Sequence, residues 1–304
     1  MGVLTGMGSP ALRITRLTLY LLWTIGLMPV QAVGVALRRP WSSTLPAFYH
    51  RWCCRILGFQ VRTVGAPTKE RPVLFASNHV SYTDISVLGS LIAGSFIAKT
   101  EVAGWPFFGW LAKLQRTVFV DRRVRSARSQ RDAMTDRLAV GDALILFPEG
   151  TSGDGNRVLP FKSALFGAAE KMQETVLLPV QPVSIAYTRL DGIPLGRVLR
   201  PFIAWYGTAE LAPHLWSMIG LGAVEVVVEF HPPVSIADCG SRKALARYCQ
   251  GRAAGGMAAA LAGRPQPMPE PPSGASARPA TAVALARTPL DQAEPALPQR
   301  GYGV

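Results

Sequence analysis

The stretch Pro72-Val73-Leu74-Phe75-Ala76-Ser77-Asn78-His79-Val80-Ser81-Tyr82-Thr83-Asp84 decides how this chain is read. Its first five residues are apolar and read as a short strand buried on both faces. Polar residues then take over, and Ile85-Ser86-Val87-Leu88 can open a helix. His79 therefore stands where a strand ends and a turn begins. In α/β proteins a side chain at that point can reach a cleft instead of the core. Asp84, five positions on, can fold back across the turn and accept a hydrogen bond from the ring. A carboxylate on one imidazole nitrogen fixes the tautomer and leaves the other nitrogen as a base. From spacing alone the same pair also fits a strand-end histidine with Asp84 as a helix N-cap.

Further buried strands follow the same style. Ser95-Phe96-Ile97-Ala98-Lys99, Thr117-Val118-Phe119-Val120 and Ala143-Leu144-Ile145-Leu146-Phe147 are apolar or β-branched runs ended by polar residues. Residues 61–64 and 224–230 read as two more, and residues 176–186 as a strand interrupted by Pro179 and Pro182. Residues 125–137 carry charges at helical spacing and read as a solvated helix. Strands alternating with helices predict an α/β fold, a single domain with a mostly buried central sheet flanked by helices. The strand at 143–147 stops at Pro148-Glu149-Gly150-Thr151-Ser152-Gly153, a glycine-containing turn whose N–H groups can hold an anion. Arg122, Arg123, Arg157 and Lys162 lie around it in sequence and predict a phosphate pocket beside the His-Asp pair.

Outside that core the chain changes character. Residues 17–37 carry no charge and are long enough to cross a bilayer, with Arg13 and Arg16 before them and Arg38 and Arg39 after. Arginine on both sides sets no orientation. Pro29 and Gln31 interrupt the second half, which admits a kinked or re-entrant anchor as readily as a clean span. Residues 41–59 interleave aromatics with Arg51 and Arg55, suiting either the headgroup level or an ordinary surface helix. Residues 103–114 are apolar nearly all round and hold two tryptophans, which suits a buried, membrane-facing or acyl-lining segment. The expected division is an anchoring and interfacial helical segment over 1–58, the α/β domain over 59–250, and a disordered Ala/Pro/Gly-rich tail over 251–304.

The 304 residues carry a formal charge of +13, with a pI near 10.2 and a mean hydropathy of +0.21. Charged residues make up only 17%. A basic yet greasy chain points to an anionic membrane surface and away from nucleic acid. Cys53, Cys54, Cys239 and Cys249 form no C-x-x-C pair and no His cluster accompanies them, so neither a metal nor a disulfide framework is expected. His50, His214 and His231 have no carboxylate at a useful spacing.

The motifs together carry a resemblance. Asn78-His79 with Asp84 resembles the H-x-x-x-x-D motif of the glycerolipid acyltransferases that act on 1-acylglycerol-3-phosphate. Val118-Phe119-Val120-Asp121-Arg122 resembles their second motif, Phe147-Pro148-Glu149-Gly150-Thr151-Ser152 their third, and Leu178-Pro179-Val180-Gln181-Pro182-Val183 their proline-containing fourth. The resemblance covers roughly residues 60–235. It implies that His79 is the general base and Asp84 its orienter. It further implies that Arg122 binds the acceptor phosphate, that Glu149, Gly150 and Thr151 shape the acceptor site, and that Lys162 adds positive charge.

The implied reaction moves an acyl chain from a thioester to the hydroxyl of a one-chained polar lipid. The donor is acyl carrier protein or coenzyme A, no cofactor or metal is required, and the product is phosphatidic acid. The expected location is the membrane, with the active site on its cytoplasmic face. Some positions depart from the family pattern. Arg116 stands where glycine is common, Ser152 where arginine is common, and Ser163-Ala164 where a glycine-containing step is common. The stretch 153–166 is similar to the branch that acylates lyso-ornithine lipid, whose headgroup lacks phosphate, and that acceptor is the alternative. A non-catalytic protein binding anionic lipid is the alternative of another class.

Overall fold

The computed structural model describes residues 8–120, 127–172 and 177–264. A 27-residue helix, α1 (Pro10–Ala36), leads into α2 (Leu45–Leu57). There follow β1 (Phe59–Val64), β2 (Val73–Ser77), α3 (Thr83–Leu91), β3 (Ser95–Lys99), α4 (Phe108–Leu114), β4 (Val118–Val120), α5 (Ala127–Ala139) and β5 (Ala143–Leu146). The second half runs through α6 (Gly167–Met172), β6 (Val180–Leu190), β7 (Ile193–Pro194), α7 (Arg200–Ile203), α8 (Leu211–Met218), β8 (Val224–Phe230), α9 (Ile236–Cys239) and α10 (Arg242–Leu261).

The strands form one sheet in the order β1-β8-β6-β2-β5-β3-β4, with β7 paired to β6. β2 lies at the centre, and Val73, Leu74, Phe75 and Ala76 are all fully buried. That explains why the run shows no polar alternation. A strand covered on both faces has no solvent side to mark. Val73 and Phe75 join one core layer and Leu74 and Ala76 the other, as the period of two demands.

Direction matters more than order. β2, β5, β3 and β4 run parallel, and so does β6 beside β2. β8 and β1 run the opposite way. The C-terminal ends of β2 and β5 therefore open side by side on one edge. Residues 77–84 and 147–152 follow those two ends and are brought together there. β6 runs without a break through Pro182, where an interruption was expected. Pro182 has no N–H to donate, and its carbonyl accepts from His231 N at 3.0 Å.

One further expectation changes. α10 continues to Leu261, past residue 251 where the tail was expected to begin. The alanines there are strong helix formers, and Ala253 and Met257 are buried in the core. A Cβ at Gly256 would collide with Ser184 and Glu229, so glycine lets the helix lie close on the sheet. Residues 265–304 lie outside the described residues. Arg13 and Arg16, which precede the uncharged run, are drawn into the protein. They are 7% and 9% exposed. Arg16 donates to the carbonyls of Ile219 (3.2 Å), Leu221 (2.5 Å) and Gly222 (3.3 Å) beyond the C-terminus of α8. Gly58 leaves room for that guanidinium, since a Cβ there would strike it.

α1 is one unbroken helix through Pro29, about 40 Å long at 1.5 Å per residue. Three of its polar side chains, Arg16, Thr24 and Gln31, face inward. Thr24 meets Tyr49 OH at 2.9 Å, and Gln31 Nε2 donates to Ser42 O and Leu114 O at 2.9 and 2.8 Å. Its outward face holds Ile14, Leu22, Ile25 and Val33, all more than half exposed.

Arg16→Ala orphans the carbonyls that the guanidinium caps. We expect a loss of about 2–4 kcal/mol, read as a lower thermal midpoint in detergent. Arg39→Ala removes an exposed side chain and should move stability by less than about 0.5 kcal/mol. Equal midpoints for Arg16→Ala and wild type would contradict the docked arrangement.

Candidate active site

The turn after β2 is built around one carboxylate. Asp84 Oδ2 accepts from His79 Nδ1 at 2.8 Å, Val80 N at 2.6 Å and Ser81 N at 3.0 Å. Asp84 Oδ1 accepts from Tyr187 OH at 2.7 Å. Asp84 is fully buried, so its charge must be met inside the protein. Two backbone N–H groups and a phenol meet it, and the imidazole is the fourth donor. A carboxylate only accepts, so Nδ1 of His79 carries a proton, and in the neutral ring Nε2 is the nitrogen left to accept one. Thr83 Oγ1 in turn bonds Tyr187 OH at 2.6 Å.

His79 is fixed from other sides as well. Its ring stacks on Phe147, with centroids 4.1 Å apart and planes at 18°. Its backbone N–H donates to Glu149 Oε1 at 2.9 Å, and its carbonyl accepts from Gly153 N at 2.9 Å. Asn78 exchanges two hydrogen bonds with the backbone of Ile185 on β6. The turn after β2 is thus bonded to both neighbouring strands' loops or backbones.

The predicted residues of the second turn fall in different places. Gly150 adopts φ +72°, a conformation that favours glycine, and with Thr151 it lines the cavity described below. Glu149 does not line it. Its side chain is buried, and its second oxygen accepts from Leu159 N at 3.0 Å. Burial pushes that carboxyl up to about 7, against the pull of its two N–H donors. Glu149 joins the two turns instead of facing a ligand. Lys162 and Arg157 are exposed and do not line the cavity. Arg122 and Arg123 lie outside the described residues.

A cavity of about 630 Å³ opens at His79. Leu17, Leu21, Leu27 and Met28 of α1 wall one side, and Val102, Phe108 and Leu111 another. The apolar segment at 103–114 thus lines a pocket, while Trp110 stands 64% exposed on the surface. Among the described residues lining the cavity, Lys99 is the one lysine or arginine. An apolar slot ending at an imidazole nitrogen can hold an alkyl chain with its reactive end at the ring.

Two features escaped sequence reasoning. Tyr187 sits 103 positions from Asp84. A tyrosine in an otherwise apolar buried strand needs a partner for its hydroxyl, and that was the available signal. His231 does have a carboxylate beside it: Nδ1 is 3.6 Å from Glu229 Oε1, and Nε2 is 2.6 Å from Ser184 Oγ. All three are buried under α10 and do not line the cavity. They tie β6 to β8.

A family model described as Acyltransferase matches residues 59–186. A lyso-ornithine lipid O-acyltransferase of Brucella abortus (strain 2308) is 46% identical over 248 residues, covering 80% of this chain and 93% of the relative. A protein of the same name from Rhizobium meliloti (strain 1021) is 43% identical, covering 73% of this chain and 77% of the relative. A 1-acyl-sn-glycerol-3-phosphate acyltransferase of Neisseria gonorrhoeae is 34% identical, covering 60% and 69%. Among solved structures, the 1-acyl-sn-glycerophosphate acyltransferase PlsC of Thermotoga maritima matches with a TM-score of 0.56 at 24% identity, over 84% of this chain and all of that one. That last likeness speaks for the fold.

Tyr187→Phe removes one of Asp84's four donors and little volume. We expect turnover to fall about tenfold, with a stability loss of about 1–2 kcal/mol. Unchanged turnover would show that Asp84 is held without it.

Proposed function

This chain belongs to the glycerolipid acyltransferase family and is an O-acyltransferase; we propose that its acceptor is a lyso-ornithine lipid and that His79 is the base that activates it. The observation that carries the base is the buried Asp84 carboxylate on His79 Nδ1, which leaves Nε2 beside an apolar cavity. The acceptor rests on the two named relatives above 40% identity and on Ser152, which stands where a phosphate-binding site would gain from a cation.

The step runs as follows. Nε2 takes the proton of the lipid hydroxyl as its oxygen attacks the thioester carbonyl. A tetrahedral intermediate forms, the C–S bond breaks, and the imidazolium returns the proton to the departing thiolate. An ester and a free thiol result. Asp84 orients the ring and stabilises its charged form. No acyl-enzyme is needed, because the thioester is already activated. Acyl carrier protein and coenzyme A both fit that chemistry as the donor's carrier. A protein that only bound lipid would gain nothing from so strongly held an imidazole.

Membrane association follows from α1. A helix of a water-soluble domain keeps its apolar side chains to its inward face, whereas α1 also turns Ile14, Leu22, Ile25 and Val33 outward. It is long and apolar enough to cross a bilayer. However, Arg16, Thr24 and Gln31 bond the protein at successive points along it. We infer that α1 lies along the membrane surface with Ile14, Leu22, Ile25 and Val33 in the lipid. Trp41, Trp52 and Trp110 are exposed as well and suit the headgroup level.

Two tests follow. His79→Ala should lower turnover about a thousandfold and still bind vesicles, and near-normal turnover would overturn the base. With both acceptors offered in one assay, kcat/KM should favour lyso-ornithine lipid over 1-acylglycerol-3-phosphate, and the reverse order would overturn the acceptor. Separately, Leu22→Glu with Ile25→Glu should keep the fold and lower partition to anionic vesicles at least about tenfold. Unchanged partition would place the contact surface elsewhere.

A further inference from the structure

In the cavity that His79 lines, Trp205 meets two other aromatic rings edge to face. Trp105 and Trp205 have centroids 6.0 Å apart and planes at 90°. Tyr82 and Trp205 are 5.8 Å apart at 68°. All three line the cavity and are half-buried. Tyr82 follows His79 in the same turn, and Trp205 N donates to Val80 O at 3.0 Å, so the rings and the imidazole share one piece of backbone.

The polar handles of two rings are already taken. Trp205 Nε1 donates to Ala209 O at 2.8 Å. Tyr82 OH meets His214 Nδ1 at 3.0 Å. Burial lowers the pKa of that histidine, which keeps a competing positive charge away. What these two side chains offer a ligand is therefore ring surface. Ser152 adds to this. At the position where a cation would serve a phosphate, its hydroxyl donates to the carbonyl of Trp205. A residue that would have supplied charge instead fixes the position of an indole.

Ring faces carry negative charge density. They attract an ammonium and repel a phosphate. Orthogonal rings meet as walls of a corner, so one cation can approach more than one face. Ornithine is a diamino acid. With its α-nitrogen in an amide, its headgroup keeps a carboxylate and a side-chain ammonium. Lys99 lines the same cavity six residues before Trp105, and its charge suits the carboxylate.

We propose that Trp105, Trp205 and Tyr82 form a corner that recognises the side-chain ammonium of the acceptor and so selects it over an anionic headgroup. This rests on the acceptor reading above. The test compares lyso-ornithine lipid with its side-chain N-acetyl derivative, which is neutral and otherwise alike, each in phosphatidylcholine vesicles. The readout is the ratio of the two kcat/KM values on one preparation, in which the active fraction cancels. Wild type should favour the charged acceptor about tenfold. Trp205→Leu and Trp105→Leu should each bring the ratio down severalfold, and Trp205→Phe should keep most of it. A wild-type ratio near one, or leucine variants that keep the wild-type ratio, would overturn the corner alone. Absence of any turnover of lyso-ornithine lipid by wild type would overturn the acceptor reading and the corner with it.

Discussion

One buried negative charge organises the site. Asp84 has no access to water, and an unmet carboxylate there would cost several kcal/mol. The fold meets it with the N–H groups of Val80 and Ser81, the phenol of Tyr187 and the ring of His79. Three of those donors lie in one turn and the fourth on β6. Meeting the charge therefore closes the turn onto the sheet, and closing the turn aims the imidazole. The orientation of the imidazole and the stability of the turn are one requirement.

The parallel direction of the central strands does the rest. Because β2 and β5 are neighbours running the same way, the two polar turns that follow them share an edge. Glu149 then links them through the backbone N–H groups of His79 and Leu159. The other wall comes from the N-terminus. α1 supplies apolar side chains to the cavity and apolar side chains to the outside. The proposed arrangement, with lipid on one side of the helix and an acyl slot on the other, uses both. Arg16, Thr24 and Gln31 bind it to the domain in between. The exposed apolar face, the cavity and the imidazole are thereby held in one register.

Much of this is legible in the sequence. Buried parallel strands lack alternation, so Leu74-Phe75-Ala76 and Leu144-Ile145-Leu146 announced themselves, and the turns after them carried the chemistry. The pairing of His79 with Asp84 is local and could be read from spacing. Tyr187 could not, since nothing nearby in sequence points to Asp84. The partners of Arg16 are not legible either, because an arginine beside an apolar run looks the same whether it meets headgroups or carbonyls. Glu149 was placed by its motif in the acceptor site, whereas its carboxylate is spent on backbone inside. The residues after 250 looked structureless because glycine and alanine were counted without their partner. Against a sheet, the same glycine gives close approach. The acceptor order was set by motifs that both branches of the family share, and only side chains such as Ser152 speak to the difference.

The central claim is that Asp84 holds His79 with its proton on Nδ1 and leaves Nε2 to accept another. The most direct measurement is 15N NMR of histidine-labelled protein in micelles, with the His79 signals assigned by their loss in His79→Ala. The account predicts a protonated, strongly hydrogen-bonded Nδ1 and an unprotonated Nε2, a pattern that Asp84→Asn should disturb. A His79 ring protonated on Nε2 in the wild-type protein would leave no acceptor for the lipid hydroxyl's proton and would contradict it.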